Sequence, residues 1–221
     1  MKVKGLKKGF TNEVLFADVN FSLEKSKIYT LLGRNGVGKT TLLKVLSDLI
    51  DYDEGDIDKN DLDILFVPET PHFLEYISGY DNLKLLCEIH NVPLNNLDRY
   101  LKHDEIREFI YELVINYSYG MKHQLSLASA FLINPDILLL DEPLTSLDPI
   151  NIEIFKRKLK DFANQNKIIV ISTHILPIAH QLSDEILLLS NKKIQQFVNI
   201  LSESDLTNYV TDLMLKGINN E

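Results

Sequence analysis

Short apolar runs recur along the chain, each bounded by turn residues. They span residues 28–32, 137–140, 168–171 and 186–189. Their apolarity is continuous rather than alternating, which is typical of parallel strands covered on both faces. Between the runs, apolar residues recur at helical spacing, over 42–49, 152–162 and 206–214. Strands that alternate with helices predict an α/β fold with a mainly parallel sheet.

Two parts of the chain depart from this alternation. In the first 27 residues, apolar and polar positions partly alternate, which predicts short antiparallel strands. Between about 70 and 134, helical spacings over 83–90 and 109–114 follow one another with no strand pattern between them. This part is therefore predicted to be a helical subdomain inserted into the α/β fold, with prolines at its turns.

Composition and charge narrow the function classes. The 221 residues are 45% apolar and 25% charged, which excludes collagen-like and disordered chains. We expect one domain over 1–221, with about 70–134 as the helical subdomain and about 1–69 and 135–221 as the rest. The net charge of −9 opposes a surface that wraps nucleic acid or lies on an anionic membrane.

The cysteine content and the length of the apolar runs indicate the compartment. Cys87 is the single cysteine, which excludes an internal disulfide framework and suits a reducing cytosol. The runs are far shorter than the roughly 18 residues that span a bilayer, and no apolar segment follows the first lysines as in a signal peptide. We therefore expect a cytoplasmic location.

A glycine-rich segment follows the first apolar run. It reads Gly33-Arg34-Asn35-Gly36-Val37-Gly38-Lys39-Thr40, which matches G-x-x-x-x-G-K-[ST], and Thr40 and Thr41 open a helical pattern. Glycines let backbone N–H groups converge on phosphate oxygens, and the helix N-terminus adds its positive end. Lys39 is predicted to reach the β- and γ-phosphates, and Thr40 to bind Mg²⁺. The alternative is a glycine-rich turn with a surface lysine.

Polar residues end two of the other runs. Asp141 and Glu142 follow 137–140, and because side chains alternate along a strand, they are predicted to point in different directions. Asp141 is expected beside Thr40 near Mg²⁺, and Glu142 beside a water that attacks the γ-phosphate. His174 follows 168–171 at the same edge of the sheet, where α/β proteins bind ligands, and is expected to contact the γ-phosphate. Taken alone, such residues are more often solvated or structural.

Five segments, taken in order, resemble the ATP-binding cassette (ABC) ATPase family. They are GRNGVGKTT (33–41), YSYGMKHQLSLASAFL (117–132), ILLLDEP (137–143), TSLD (145–148) and STH (172–174). The resemblance covers nearly the whole chain. It implies a P-loop NTPase core, ATP and Mg²⁺ as ligands, and ATP hydrolysis with Lys39, Glu142 and His174 as catalytic residues.

The resemblance also implies a second phosphate contact. The family has a variant of L-S-G-G-Q at the start of a helix, and this chain reads Tyr117-Ser118-Tyr119-Gly120-Met121, where Ser118 and Gly120 match and Tyr119 and Met121 depart. In the family, two cassettes pair head to tail, and this segment closes on the ATP of the other. A second ABC ATPase subunit, identical or different, is therefore an expected partner. A plain helix N-cap by Ser118 is the alternative.

Three further positions follow from the resemblance. Phe10 corresponds to an aromatic residue that stacks on adenine, with a core phenylalanine as the alternative. Glu69 replaces the usual glutamine that contacts Mg²⁺ or the attacking water. Asp148 resembles an aspartate of the dimer interface, and it is equally suited to a helix N-cap.

The resemblance points to a transporter subunit. It implies a cassette that drives a separate membrane-spanning permease from the inner face of the cell membrane, and the segments YSYGMK and FVPE are similar to bacterial cassettes for drug and bacteriocin export. One alternative is a non-transport family member that acts on ribosomes or DNA, which the negative charge opposes. A small-molecule kinase leaves the YSYGM segment unexplained.

Overall fold

The structure is a computed structural model, and it describes residues 1–11, 13–102, 104–144 and 149–218. In chain order, the first part has β1 (Lys2–Phe10), β2 (Glu13–Ser22), β3 (Lys27–Leu32), α1 (Lys39–Leu46), β4 (Glu54–Asp58) and β5 (Ile64–Val67). Three α-helices follow, α2 (Gly79–Ile89), α3 (Leu94–Leu101) and α4 (Tyr119–Ile133), with 3₁₀ turns over Glu105–Glu108 and Val114–Asn116 before α4. The last part has β6 (Ile137–Asp141), α5 (Pro149–Ala163), β7 (Ile168–Thr173), α6 (Leu176–Leu182), β8 (Glu185–Ser190), β9 (Lys193–Val198) and α7 (Glu203–Ile218).

The N-terminal strands form a small antiparallel sheet in the order β2-β1-β4. Val3 of β1 pairs with Phe21 of β2 on one side and with Ile57 of β4 on the other. Side chains of one face, among them Leu6 and Phe16, are fully buried, as alternation along a strand predicts. The predicted antiparallel strands are therefore confirmed. The third strand, β4, was not expected because its sequence, EGDID, has a single apolar residue.

The large sheet has the strand order β5-β6-β7-β3-β8-β9. Its strands are parallel except β9, which pairs with β8 in the antiparallel direction. Leu32 of β3 pairs with Thr173 of β7, and Asp141 of β6 pairs with Ser172 of β7. The carboxyl ends of β3, β6 and β7 therefore meet at one edge, which is where α/β sheets bind ligands. The predicted α/β fold with a mainly parallel sheet is confirmed.

Both faces of the large sheet are covered, which accounts for the continuous apolar runs. Tyr29 and Leu31 lie in a cluster with the leucines of α1 and with the small sheet. Ile28 lies in a second cluster with Phe155 of α5, and Leu32 lies in a third with α6 and α7. Successive residues of the strand thus enter opposite layers, so the interior strand offers no solvated face to polar side chains.

The helices α2, α3 and α4 enclose a core of their own. Leu83 and Cys87 of α2 pack there with Leu97 of α3 and Leu125 of α4, and all four are fully buried. Leu127 of α4 belongs instead to the cluster under the large sheet. Helix α4 is therefore covered on two sides, and it connects the helical region to the sheet.

The helical spacing over 109–114 does not form an α-helix, so this prediction was wrong. A 3₁₀ turn over Glu105–Glu108 precedes the segment. Its backbone pairs with the start of α2 instead, because the N–H of Tyr80 donates to the carbonyl of Ile110 at 2.7 Å, and the N–H of Val114 donates to that of Ile77 at 3.1 Å. Ile110 and Val114 are still buried, so the spacing predicts burial correctly and conformation wrongly.

Candidate functional site

The glycine-rich segment forms a loop between β3 and α1. Gly36 and Gly38 have φ angles of 79° and 108°, which residues with a side chain rarely adopt. A Cβ at Gly33 would lie 2.8 Å from the carbonyl oxygen of Leu189 and 2.9 Å from Cγ1 of Val37. Conformation or crowding therefore requires glycine at all three positions. The loop ends at the N-terminus of α1, whose unpaired N–H groups attract anions.

Lys39, the first residue of α1, folds back over this loop. Its Nζ donates to the carbonyl oxygens of Gly33 at 2.9 Å and Arg34 at 3.3 Å, and it lies 3.3 Å from Oε1 of Glu142. The side chain is almost fully buried. The loop therefore holds a buried positive charge, and an entering anion can exchange with the partners that the ammonium group already has.

Asp141 ends β6 beside Thr40. Oγ1 of Thr40 donates to Oδ2 of Asp141 at 2.7 Å, and Oγ of Ser172 donates to Oδ1 at 2.5 Å. Asp141 is buried, and each of its carboxylate oxygens has a hydroxyl partner. The side chain is thereby fixed beside Thr40, at the end of the glycine-rich loop.

Glu142 turns away from the line of β6. Its φ of 45° lies in the left-handed region, which costs a non-glycine residue about 1–3 kcal/mol. Its N–H donates to Oγ of Ser172 at 2.9 Å, and Oε1 and Oε2 lie 3.1 and 3.2 Å from Nδ1 of His174. Together with the contact to Lys39, this gives the two adjacent acids entirely different side-chain surroundings.

A cleft of about 460 Å³ lies over the loop. Its lining residues are Phe10, Leu15, Asn35, Gly36, Gly38, Lys39, Thr40, Thr41, Glu69 and Glu142. Most of the predicted site residues therefore share one cleft. Gly33, Arg34 and Val37 belong to the loop itself, and Asp141 and His174 adjoin the cleft through Thr40 and Glu142.

Phe10 lies at the end of β1 and lines this cleft. Its side chain is 52% exposed, so the alternative of a core phenylalanine is excluded. Nζ of Lys8 lies 4.9 Å from the centroid of the ring. The cleft is therefore lined by an exposed aromatic ring in addition to the glycine-rich loop.

Ser118 and Gly120 do not line the cleft. They lie at the N-terminus of α4, where Ser118 is the N-cap and its Oγ accepts a hydrogen bond from the N–H of Met121 at 3.2 Å. Ser118 is also exposed, so it caps the helix and is open to solvent at the same time. Asp148 lies outside the described residues.

Three residues that the sequence analysis did not select belong to this arrangement. Ser172 contacts both Asp141 and Glu142. The feature of the sequence that could have pointed to it is a hydroxyl residue in an otherwise apolar strand, at the position that pairs with Asp141. Tyr119 and His123 both contact the backbone carbonyl of Glu69. For Tyr119, the signal is its departure from the family pattern, whereas nothing in the sequence marks His123 as a partner of Glu69.

Comparison with known proteins decides the family. Residues 16–145, more than half of the chain, match the family described as ABC transporter. The chain belongs to this family. This ABC protein is 31% identical over 192 residues to the lantibiotic transport ATP-binding protein SrtF of Streptococcus pyogenes, covering 83% of this chain and 84% of that one. It is 30% identical over 213 residues to the bacitracin transport ATP-binding protein BcrA of Enterococcus faecalis, and the match covers 90% of this chain and 69% of that one.

A solved structure of an ATP-binding subunit of an ABC transporter has the same fold. The TM-score is 0.86 at 24% identity, and the match covers 95% of this ABC protein and 98% of that chain. The family match and the two relatives confirm the resemblance to the ABC family inferred from the five segments. Within the four described ranges, no helix is both long and apolar enough to cross a bilayer.

Proposed function

We propose that this ABC protein binds and hydrolyses ATP and thereby drives export through a separate membrane-spanning permease. The main support is the arrangement of a phosphate loop, a buried lysine and two carboxylates with different partners around one cleft. Membership of the ABC transporter family supports the transport role. The named functions of its relatives, lantibiotic and bacitracin transport, support a role in drug or bacteriocin export.

The loop suits the triphosphate of ATP. Left-handed glycines and a helix N-terminus present backbone N–H groups to anions, and Lys39 adds a positive charge. Phe10 offers an exposed ring on which adenine stacks. The proposed contacts to bound ATP within this chain are Phe10, Gly33, Arg34, Asn35, Gly36, Val37, Gly38, Lys39, Thr40 and Thr41.

The donor set beside the loop suits Mg²⁺. Oγ1 of Thr40 and Oδ2 of Asp141 are 2.7 Å apart, and Glu69 adds a carboxylate to the cleft. Mg²⁺ prefers oxygen donors of these kinds and is usually bound by few protein ligands together with phosphate. Thr40, Asp141 and Glu69 are therefore the proposed ligands. When bound, the ion neutralises phosphate charge.

The proposed chemistry uses Glu142 as general base. Its carboxylate accepts a proton from the water that attacks the γ-phosphorus, and the products are ADP and phosphate. His174, 3.1 Å from Oε1, orients this carboxylate and contacts the γ-phosphate. Lys39 exchanges its contact with Glu142 for the β- and γ-phosphate oxygens and stabilises the charge that develops there.

A second ABC subunit completes each site in this proposal. Ser118 is exposed at the N-terminus of α4 and does not line the cleft of its own chain. This supports a role for Ser118 and Gly120 in binding the ATP of another subunit, either a second copy or a different chain. Asp148 is proposed as an interface residue on the resemblance alone.

The proposed partner is a membrane-spanning permease, which holds this chain at the cytoplasmic face of the cell membrane. The α/β part, about 1–69 and 135–221, binds ATP, and the helical subdomain, about 70–134, meets the permease. A nucleic-acid partner is not part of the proposal, because the net charge of −9 opposes binding to phosphate-rich surfaces.

Affinity purification tests the transport role. The tagged Glu142→Gln protein is recovered from detergent-solubilised native membranes with ATP present, and its companions are identified by mass spectrometry. We expect a polytopic membrane protein in stoichiometric amount, together with a second ABC subunit whose recovery falls in Lys39→Ala. Recovery of ribosomal or DNA-repair proteins without a membrane partner would contradict the transport role and favour a non-transport ABC ATPase.

A further inference from the structure

The first turns of α4 are tied to the cleft through one backbone carbonyl. Oη of Tyr119 donates to the carbonyl oxygen of Glu69 at 3.0 Å, and Nε2 of His123 lies 3.0 Å from the same oxygen. Because a carbonyl oxygen only accepts, the hydrogen-bond geometry assigns a proton to Nε2. His123 is 2% exposed, and burial lowers the pKa of its imidazole, which leaves the ring neutral near pH 7.

The two side chains form a unit on one face of the helix. Positions 119 and 123 are four residues apart, so they are neighbours on the helix surface. The ring centroids are 4.9 Å apart, and Oη of Tyr119 lies 3.3 Å from Nε2 of His123. Each ring limits the rotamers of the other, so both donors stay directed at Glu69.

Glu69 lies at the other end of this connection. Pro68 precedes Glu69 directly, and Pro71 follows it after Thr70. Neither proline has an N–H to donate. The residue lines the cleft, whereas its carbonyl oxygen contacts α4. A ligand that moves Glu69 therefore also moves Tyr119, which is adjacent to Ser118 in the chain.

We propose that Tyr119 and His123 are positioning residues that make the orientation of the α4 N-terminus depend on the occupancy of this chain's own cleft. The inference rests on the proposed function, in which Glu69 meets the bound ligand and Ser118 meets the nucleotide of a second subunit. Tyr119 stands where the family has a glycine, and its hydroxyl makes a contact that glycine cannot make. The departure at 119 thus adds a connection between two phosphate-binding segments.

Hydrogen exchange of the monomer, measured with and without ATP and Mg²⁺ at a protein concentration where light scattering detects no dimer, tests the connection directly. The parent is the Glu142→Gln protein, and the variant adds Tyr119→Phe and His123→Leu, which remove both donors and keep apolar bulk. In the parent, ATP is expected to slow exchange in peptides covering 33–41 and 117–124. In the variant, the slowing at 33–41 persists, and exchange at 117–124 no longer responds to ATP.

Dimer formation gives a second measurement. The ATP concentration for half-maximal dimerisation, followed by light scattering, is expected to rise about tenfold in the variant, because two neutral hydrogen bonds are lost. Nucleotide affinity of the monomer stays within about twofold, since the loop is intact. With His123→Gln in place of His123→Leu in this variant, the rise in ATP concentration is smaller, because the amide N–H of glutamine can donate to the same carbonyl. Tyr119→Phe alone keeps the ring and is the mildest variant.

Tyr117→Phe is the matched control. It also removes a tyrosine hydroxyl from the helical region, one that donates to the carbonyl of Phe109 at 2.9 Å and not to Glu69. A double variant that keeps the ATP response at 117–124 would overturn the inference and leave the proposed function intact, as would an equal loss in Tyr117→Phe. If ATP has no effect at 33–41 in the parent, the proposed function fails, and this inference fails with it.

Discussion

Oγ of Ser172 donates to Oδ1 of Asp141 at 2.5 Å. The Ser172 Oγ also accepts a hydrogen bond from the N–H of Glu142 at 2.9 Å. One buried hydroxyl on β7 thus orients both acids at the end of β6. Oδ2 of Asp141 stays directed at Thr40. The N–H of Glu142 lies beyond the strand, and its bond to Ser172 helps to offset the cost of the left-handed backbone there.

Ser172→Ala is expected to lower ATP turnover about ten- to hundredfold. The change leaves a buried carboxylate oxygen and a buried N–H without this partner, which costs about 1–3 kcal/mol. The KM for ATP changes less, because the loop and Lys39 are untouched. Phosphate release measured over a range of ATP concentrations separates the two parameters. Ser129→Ala is the control, since it removes a buried hydroxyl that donates to Ser126 away from the cleft, and an equal loss in both variants would contradict the role of Ser172.

Glu142→Gln is expected to lower turnover about 10²- to 10⁴-fold, because the amide cannot accept the proton of the attacking water. Nucleotide affinity is retained, since the glycines and Lys39 that form the loop remain. Phosphate release and titration with a fluorescent ATP analogue check the two expectations. Lys39→Ala, in contrast, is expected to weaken nucleotide binding. Hydrolysis at the parent rate in Glu142→Gln would remove this residue from the role of base.

The elements that could be predicted are those whose burial leaves a local pattern. The interior strands β3, β6, β7 and β8 are covered on both faces, so each is a continuous apolar run. The edge strands of the large sheet were missed, because β5 has only four residues and half of the residues of β9 are polar. At 109–114, tertiary contacts with the start of α2 override a helical spacing.

The candidate site likewise has residues with a local sequence pattern and residues that only tertiary contacts bring together. The loop glycines and the two acids could be selected from the sequence as candidates, because phosphate binding and strand ends impose a spacing within one segment. Ser172 was not found as a site residue, since its partner Asp141 is 31 residues away. Tyr119 and His123 lie 50 and 54 residues from Glu69, and that partner is a backbone carbonyl, which no residue type reveals. Only the folded arrangement of β5 and α4 brings them together.

Phe10→Ala is expected to weaken ATP binding about ten- to hundredfold, because stacking of a base on an aromatic ring is worth about 1–3 kcal/mol. Phe10→Tyr keeps a ring and is expected to bind like the parent. Since the ring is exposed, the thermal unfolding temperature stays nearly unchanged. Competition by inorganic tripolyphosphate, which has no base, distinguishes stacking from a general effect on the cleft. Equal weakening for tripolyphosphate in Phe10→Ala would argue against stacking.

Asp104 ties the helical region to α5. Its carboxylate accepts hydrogen bonds from Nζ of Lys158 at 2.8 Å and from the N–H of Ile106 at 3.1 Å. Burial alone raises the pKa of Asp104, but the hydrogen bonds from Lys158, Tyr100 and Ile106 outweigh burial and hold this pKa below its ordinary value of 3.8. The charged form therefore stabilises the fold above pH 3.8, and this contribution is lost as the pH falls through the lowered pKa.

Asp104→Asn is accordingly expected to lower the free energy of unfolding near neutral pH by about 1–3 kcal/mol, since a charge-assisted hydrogen bond to Lys158 is lost. The difference from the parent narrows as the pH drops below 3.8, because the parent then loses the same charge. Urea unfolding at a series of pH values measures this difference. Glu153→Gln is the control, because Glu153 is exposed and its ion pair with Lys156 contributes little. A difference that stays constant across the acid range would show that the charge of Asp104 is not what stabilises this contact.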